Sequence, residues 1–175
     1  MDKIKIIDKF LTDTELKKAT SIIQNNSWKF GHSSCGIELV NTEFWSMNLN
    51  DNNFFSIYLK NIIEKTFGRK FILNRVYANG QTYGQNGSYH KDSEDEDTYT
   101  VCLYLTEIDK ECVDTAGGYI YFKFDDKKYK VCYEPLFNRL IMFPSNYYHK
   151  GCAFNRYIND MRICVAWKLK EIVNE

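Results

Sequence analysis

The chain has 175 residues, 44% of them apolar and 16% aromatic, and its 23 basic and 23 acidic side chains cancel to a formal net charge of zero. That composition excludes a disordered or low-complexity polymer. It also argues against a protein that holds nucleic acid by bulk phosphate neutralisation, although a local basic patch can hide in a zero sum.

The length suits one domain over residues 1–175, burying roughly 70% of the surface its unfolded chain would expose. Met1 to Phe10 alternates charged and apolar residues, and no later stretch approaches the roughly 18 apolar residues of a spanning helix. A cytoplasmic protein without membrane association is therefore expected. The six cysteines include no C-x-x-C pair, and without a secretory signal they are expected as reduced thiols and not as a zinc site.

In chain order, Ile4 to Phe10 reads as a short strand. Thr12 and Glu15 form a capping-box pattern, and a helix follows to about Asn25 with Leu16, Ala19, Ile22 and Ile23 on one face. Residues 28–48 read as paired strands. A second helix is expected from about Asn52 to Phe67, carrying Phe55, Leu59, Ile62, Ile63 and Phe67 at helical spacing and stopped by Gly68.

From Lys70 the apolar period becomes two. Strands are predicted over Phe71 to Ala78, Thr98 to Thr106, Gly118 to Phe124, Lys128 to Tyr133, Arg139 to Phe143, Tyr147 to Gly151 and Met161 to Leu169. Asn79-Gly80, Gly117-Gly118, Asp125-Asp126 and Pro144-Ser145 punctuate them. The fold expected is α+β, a double-stranded β-helix (jelly roll) over 70–170 with helical and strand support from 1–69 packed on one face.

Only three histidines occur, and two of them suit a mononuclear iron site. His90-Lys91-Asp92 places two ligand types two residues apart, on one face of an extended segment with Lys91 turned away. His149 would arrive from a distant strand. Two imidazoles and a carboxylate form the facial triad that suits Fe(II). On the last strand, alternation puts Arg162, Cys164 and Ala166 on one face, with Ile163, Val165 and Trp167 on the other. An arginine inside a barrel requires an anion, and a cosubstrate carboxylate answers that need. Thr100, Cys102 and Tyr104 similarly oppose Val101, Leu103 and Leu105, so the Tyr104 hydroxyl can share the anion of Arg162. Arg156, in a polar turn, is the rival anchor.

The series Tyr77-Ala-Asn-Gly80, His90-x-Asp92, Tyr104-Leu105, Gly117-Gly118, Phe143-Pro144, His149 and Arg162 to Trp167 resembles the 2-oxoglutarate/Fe(II)-dependent dioxygenases. Within them it is similar to the prolyl 4-hydroxylase-like branch with its small viral and bacterial members. The resemblance covers about Phe71 to Leu169.

It implies that His90, Asp92 and His149 bind Fe(II), and that Arg162 and Tyr104 hold the distal carboxylate of 2-oxoglutarate. Tyr77 would lie near the chelating end, Gly117-Gly118 would form a structural turn, and Trp167 would pack. It implies O2 as a second cosubstrate, ascorbate as an optional reductant, and release of succinate and CO2.

A peptide or protein substrate, hydroxylated at proline, is the first expectation. In the branch, the region of the flexible polar loop Gln81 to Tyr89 holds a peptide, which makes Tyr83 and Tyr89 candidate substrate contacts. That loop and the His149–Arg162 spacing are both longer than in animal collagen enzymes, which leaves substrate choice open. If the acidic run Asp92 to Asp97 lines the mouth, it would favour neutral or cationic targets over phosphodiesters. A nucleobase or free amino acid is the alternative target. DNA-repair members carry a second arginine six residues after the anchor, where this chain has Lys168, which weakens the nucleobase option. A jelly-roll binding module with a silent metal site is the alternative from another class.

Overall fold

The computed structural model describes residues 3–34, 42–109, 111–124 and 129–172. Cys35, the Asp125-Asp126 turn and Lys127-Lys128 lie outside them.

The support segment opens with β1 (Lys5–Ile7) and α1 (Asp13–Asn25). The capping box forms as expected: the Thr12 side chain accepts from the Glu15 N–H, and the Glu15 carboxylate accepts from the Thr12 N–H at 2.9 Å. Ala19 and Ile23 are buried beneath the helix, with Leu16 and Ile22 half-buried beside them. The pair β2 (Lys29–His32) and β3 (Phe44–Asn48) follows. The second helix does not begin as a regular α-helix. It opens with a π-helical turn, Phe54–Leu59, before α2 (Lys60–Phe67), which ends at Gly68 with φ 64°. The widened turn has a physical counterpart in the core, where the buried Trp167 indole donates to the Phe55 carbonyl at 2.9 Å.

The remaining strands are β4 (Phe71–Gln81), β5 (Thr98–Tyr104), β6 (Ile120–Lys123), β7 (Lys130–Tyr133), β8 (Leu140–Pro144), β9 (Tyr148–Gly151) and β10 (Arg162–Glu171). They build a seven-stranded sheet in the order β1-β8-β5-β10-β4-β3-β2 and a three-stranded sheet in the order β7-β6-β9, with antiparallel pairs throughout. This is the double-stranded β-helix in an α+β chain.

One expectation fails here. Asn79-Gly80 is not a turn, because β4 continues through both residues to Gln81, paired with β10 and β3. Gly80 serves close packing instead: a β-carbon there would lie 2.5 Å from the Met161 sulfur and 2.9 Å from the Trp28 ring.

The large sheet buries both faces. Towards the helices, Val76, Ala78, Val101, Leu103, Val165, Trp167 and Leu169 pack on Ala19, Ile23, Phe55, Leu59 and Ile63. Towards the small sheet, Cys102, Tyr104, Ile141, Phe143, Cys164 and Ala166 pack with Ile120 and Phe122. Burial on both faces explains why β5, β8 and β10 are buried along almost their whole length despite alternating in side-chain character. Among the described residues, no helix is long and apolar enough to cross a membrane.

Candidate metal centre and cosubstrate cavity

His149 lies in β9, between Phe122 of β6 and His90, whose backbone exchanges both hydrogen bonds with that of His149 at 3.0 Å. His90 is thus a single bridging residue at the edge of the small sheet, not the end of a regular strand. Two residues on, the Asp92 N–H donates to the Ser145 carbonyl at 2.9 Å. These backbone bonds bring the H-x-D segment to His149.

The ligand atoms of His90, Asp92 and His149 lie within 4.8 Å of one another. Nε2 of His90 is 3.5 Å from Asp92 Oδ1, and Nε2 of His149 is 3.4 Å from Asp92 Oδ2. Each imidazole is oriented by its own backbone: His90 Nδ1 is 2.9 Å from the Ser88 carbonyl, and His149 Nδ1 is 2.9 Å from the Tyr147 carbonyl. A carbonyl can only accept, so Nδ1 carries a proton and Nε2 is the nitrogen turned towards the site. Burial holds the His149 pKa down to about 4, with the positive charge of Lys168 adding to it against the pull of Asp92. At neutral pH the ring is therefore the neutral ligand a metal requires. Phe143, at 4.7 Å between ring centroids, fixes its plane edge-on.

Asp92 is joined by a residue that the sequence reading left outside the site. The Lys168 ammonium forms a buried ion pair with Asp92 Oδ2, to which Thr100 Oγ1 also donates at 2.6 Å. Burial pushes the Asp92 carboxyl up, but Lys168 and the two histidines outweigh it and hold the group well below the usual carboxylate range. Oδ2 is thus occupied by two donors, which leaves Oδ1 for a metal. Lys168 was legible in principle. The alternation that turns Arg162, Cys164 and Ala166 inward includes Lys168 at its next step.

A cavity of about 260 Å³ runs from the triad to Arg162. Its wall is three registered rows. β10 contributes Arg162, Cys164, Ala166 and Lys168, whose partners on β4 are Gln81, Asn79, Tyr77 and Arg75. On β5, Tyr104, Cys102 and Thr100 pair with Cys164, Ala166 and Lys168. Arg162 is 3% exposed. Its Nε donates to the Gly118 carbonyl at 2.7 Å and its Nη1 to Gln81 Oε1 at 2.9 Å.

No carboxylate among the described residues pairs with this guanidinium. The Tyr104 ring lies 5.0 Å below it, and the buried Tyr104 hydroxyl has no hydrogen-bond partner. A buried cation without an anion, beside an orphaned hydroxyl, fits an absent carboxylate. Gly118 does more than turn the chain, since its carbonyl orients Arg162. Gln81, read as part of a flexible loop, is a buried strand residue with the same duty.

The other expected residues divide. Tyr77 lines the cavity, and Trp167 points to the opposite side of β10 as packing. Arg156 is exposed and stacks on Tyr157 at 5.0 Å, outside the cavity. Tyr83 is 66% exposed, and Tyr89 sits beneath the Lys130 and Lys150 ammonium groups at 5.4 and 5.0 Å. Neither tyrosine lines the cavity.

Their loop is sewn down. Gln81 Nε2 donates to the Gln85 carbonyl, the Gly87 N–H to Gly151, and the Ala153 N–H to Asn86 Oδ1. The acidic run does not line the mouth either: Asp92 is the one carboxylate among the cavity-lining residues described. The five described cysteines carry free thiols, and Cys102 and Cys164 face the cavity.

A sequence comparison with curated proteins gives no match. Solved structures share the fold at low identity. A prolyl hydroxylase from Trichoplax adhaerens, in complex with a hypoxia inducible factor peptide fragment, matches at 16% identity and a TM-score of 0.69, over 98% of this chain and 84% of that one. The viral collagen prolyl hydroxylase of Paramecium bursaria Chlorella virus-1, bound to 2-oxoglutarate, matches at 15% and 0.60, over 97% of each chain. HygX from Streptomyces hygroscopicus, with nickel and 2-oxoglutarate bound, matches at 9% and 0.69, over 96% of this chain and 82% of that one. A family profile described as the 2OG-Fe(II) oxygenase superfamily matches residues 75–167, more than half of the chain and the whole stretch from Arg75 to Trp167 that carries the triad and Arg162. With its Fe(II) and 2-oxoglutarate cofactors, the chain belongs to the 2OG-Fe(II) oxygenase superfamily.

Proposed function

We propose that this oxygenase hydroxylates a peptidyl residue, with proline as the first candidate, and releases succinate and CO2. The observation that carries the reading is the arrangement of the cavity, with the three ligands at one end and the anion-less Arg162 and orphaned Tyr104 hydroxyl at the other. His90, Asp92 and His149 would hold the iron. Arg162 and Tyr104 would bind the distal carboxylate of 2-oxoglutarate, with Tyr77 towards its chelating end. When bound, Fe(II), 2-oxoglutarate and O2 supply the oxidising chemistry for a C–H bond.

The chain's own contribution is orientation. Gly118 and Gln81 aim the guanidinium, Ser88 and Tyr147 fix the imidazole tautomers, and Lys168 with Thr100 reserves one carboxylate oxygen. Small Cys164 and Ala166 leave the space between the two ends. A peptide target is supported by the match with the viral collagen prolyl hydroxylase over 97% of each chain. Tyr83, exposed on its loop, is available to such a peptide.

The test has two parts. Anaerobic Fe(II) and 2-oxoglutarate should give a weak visible charge-transfer band in the wild type, and His149→Ala should lose it. A panel of proline-containing peptides should then yield succinate together with a one-oxygen mass gain on proline. Succinate coupled only to nucleotides or free amino acids would remove the peptidyl assignment. No band in folded, iron-supplied wild type would remove the dioxygenase reading itself.

A further inference from the structure

The mouth of the cavity is cationic and rich in donors, and nothing in the proposed reaction uses that property. Arg75 is the cross-strand partner of Lys168 and faces the same side of the sheet, yet it is exposed where Lys168 is buried. Its guanidinium rests over the Tyr77 ring at 4.9 Å, and among the described residues no carboxylate pairs with it. His32, the histidine left over from the triad, meets the Tyr77 ring edge-on at 5.7 Å. Burial, followed by the positive charges of Arg75, His90 and Lys168, holds the His32 ring towards its neutral form, which is the response expected in a positive field.

A side groove of about 180 Å³ opens beside the metal cavity and shares His32, Arg75 and Tyr77 with it. Ser46, Asn48 and Asn50 line its far side. Both amides are already committed on their oxygen side: Asn48 Oδ1 accepts from the Asn50 N–H at 3.0 Å, and Asn50 Oδ1 accepts from the Val76 N–H at 2.7 Å. The group each amide leaves for a ligand is therefore NH2, a donor. A guanidinium, two amide NH2 groups, a serine hydroxyl and no carboxylate make a groove suited to an anion.

We infer that the groove formed by Arg75, His32, Ser46, Asn48 and Asn50 is a substrate subsite for an anionic group, a carboxylate or a phosphate, carried beside the residue to be oxidised. The inference rests on the dioxygenase reading, because that reading puts the reacting carbon at the triad. Lys168 reaches Asp92, and Arg75 is its neighbour across one strand spacing, so the anion would sit on the order of 10 Å from the metal ligands. In an extended peptide that distance is about three residues. The substrate class is then a peptide with an acidic or phosphorylated residue about three positions from the target.

The test uses protein loaded with Zn(II), a diamagnetic stand-in for the iron, and saturated with 2-oxoglutarate so that Arg162 is occupied. Inorganic phosphate and acetate are titrated in separate arms while NMR follows the Asn48 and Asn50 side-chain NH2 signals. At least one arm should give saturable shifts, weakened tenfold or more in Arg75→Gln, largely retained in Arg75→Lys, and unchanged in the surface control Arg156→Gln. A tighter phosphate arm assigns a phosphorylated residue, and a tighter acetate arm an acidic one. No saturable shift in either arm, or wild type and Arg75→Gln titrating alike, would overturn the subsite. Failure of 2-oxoglutarate to bind in the same sample would overturn the dioxygenase reading, whereas a silent groove with 2-oxoglutarate bound overturns the anion subsite alone.

Discussion

The two faces of β10 have the same backbone, the same neighbours and nearly the same burial, yet they do opposite work. Ile163, Val165, Trp167 and Leu169 face the helices and fill the space completely, with Trp167 spending its one polar atom on Phe55. Arg162, Cys164, Ala166 and Lys168 face the small sheet, with charges at the ends and small side chains between them. On the first face, free energy comes from apolar area and tight packing. On the second, a cavity is kept open by deficit of volume, and its charges are tolerable only while each has a partner. One charge, Lys168, has its partner inside the protein. The other, Arg162, has no carboxylate partner among the described residues, and in the proposed reading it would take one from the cosubstrate.

That asymmetry gives the largest expected effect. Asp92→Ala leaves the Lys168 ammonium buried and unpaired, which should cost about 3–5 kcal/mol of stability in the metal-free protein. The double variant Asp92→Ala/Lys168→Met should recover most of the loss. Urea unfolding of both variants checks this. Additive losses would mean that Lys168 is solvated and that the buried pair does not carry the cost.

Arg162→Ala should do the reverse, with little harm to folding and a large loss of binding. Removing its charge-assisted bonds is worth about 2–4 kcal/mol, or roughly 30- to 1,000-fold in 2-oxoglutarate affinity. Calorimetric titration of the metal-loaded variant measures it. An unchanged affinity would hand the anchor role to another group.

On the opposite face, Trp167→Phe keeps an aromatic ring but gives up the pyrrole ring with its N–H, which opens a small void and leaves the Phe55 carbonyl without its donor. A loss of about 1–3 kcal/mol in unfolding free energy is expected, with 2-oxoglutarate affinity within about twofold of wild type. A variant that also lost cosubstrate affinity tenfold would show that the two faces are coupled through the strand.

The same contrast explains what the sequence made legible. Alternation along β10 and β5 separates core from cavity correctly, because a buried sheet imposes period two on any strand. The capping box and the Gly68 stop are local patterns and fold as read. Lys168 was missed because a lysine suggests the surface until its partner is known, and Asp92 lies on a distant segment. Asn79-Gly80 misled because Gly80 is needed for close approach of Met161 and Trp28, which no local pattern reveals. The seemingly flexible loop after β4 is tied by bonds to Gly151 and Ala153, again across long sequence separations.

The smallest effect belongs to a buried carboxylate whose two lysine partners reach it from more open positions, at the joint between α2 and β4. Glu64 accepts from Lys60 at 2.7 Å, from Lys70 at 3.2 Å and from the Phe71 backbone N–H at 2.7 Å. Burial pushes its carboxyl up, but these three donors outweigh burial and leave it below its ordinary value of 4.5. A carboxyl depressed by folding stabilises the protein above its unfolded value, and that contribution is lost as the pH falls through the lower folded value. The difference in unfolding free energy between wild type and Glu64→Gln should therefore be flat above about pH 5.5 and shrink steadily below about pH 4.5. Urea unfolding across that range reads it directly. A difference that persists unchanged to about pH 3 would mean that side-chain shape, and not ionisation, joins the helix to the sheet. Cosubstrate affinity should stay at the wild-type level, because Glu64 lies on the support and not on the cavity.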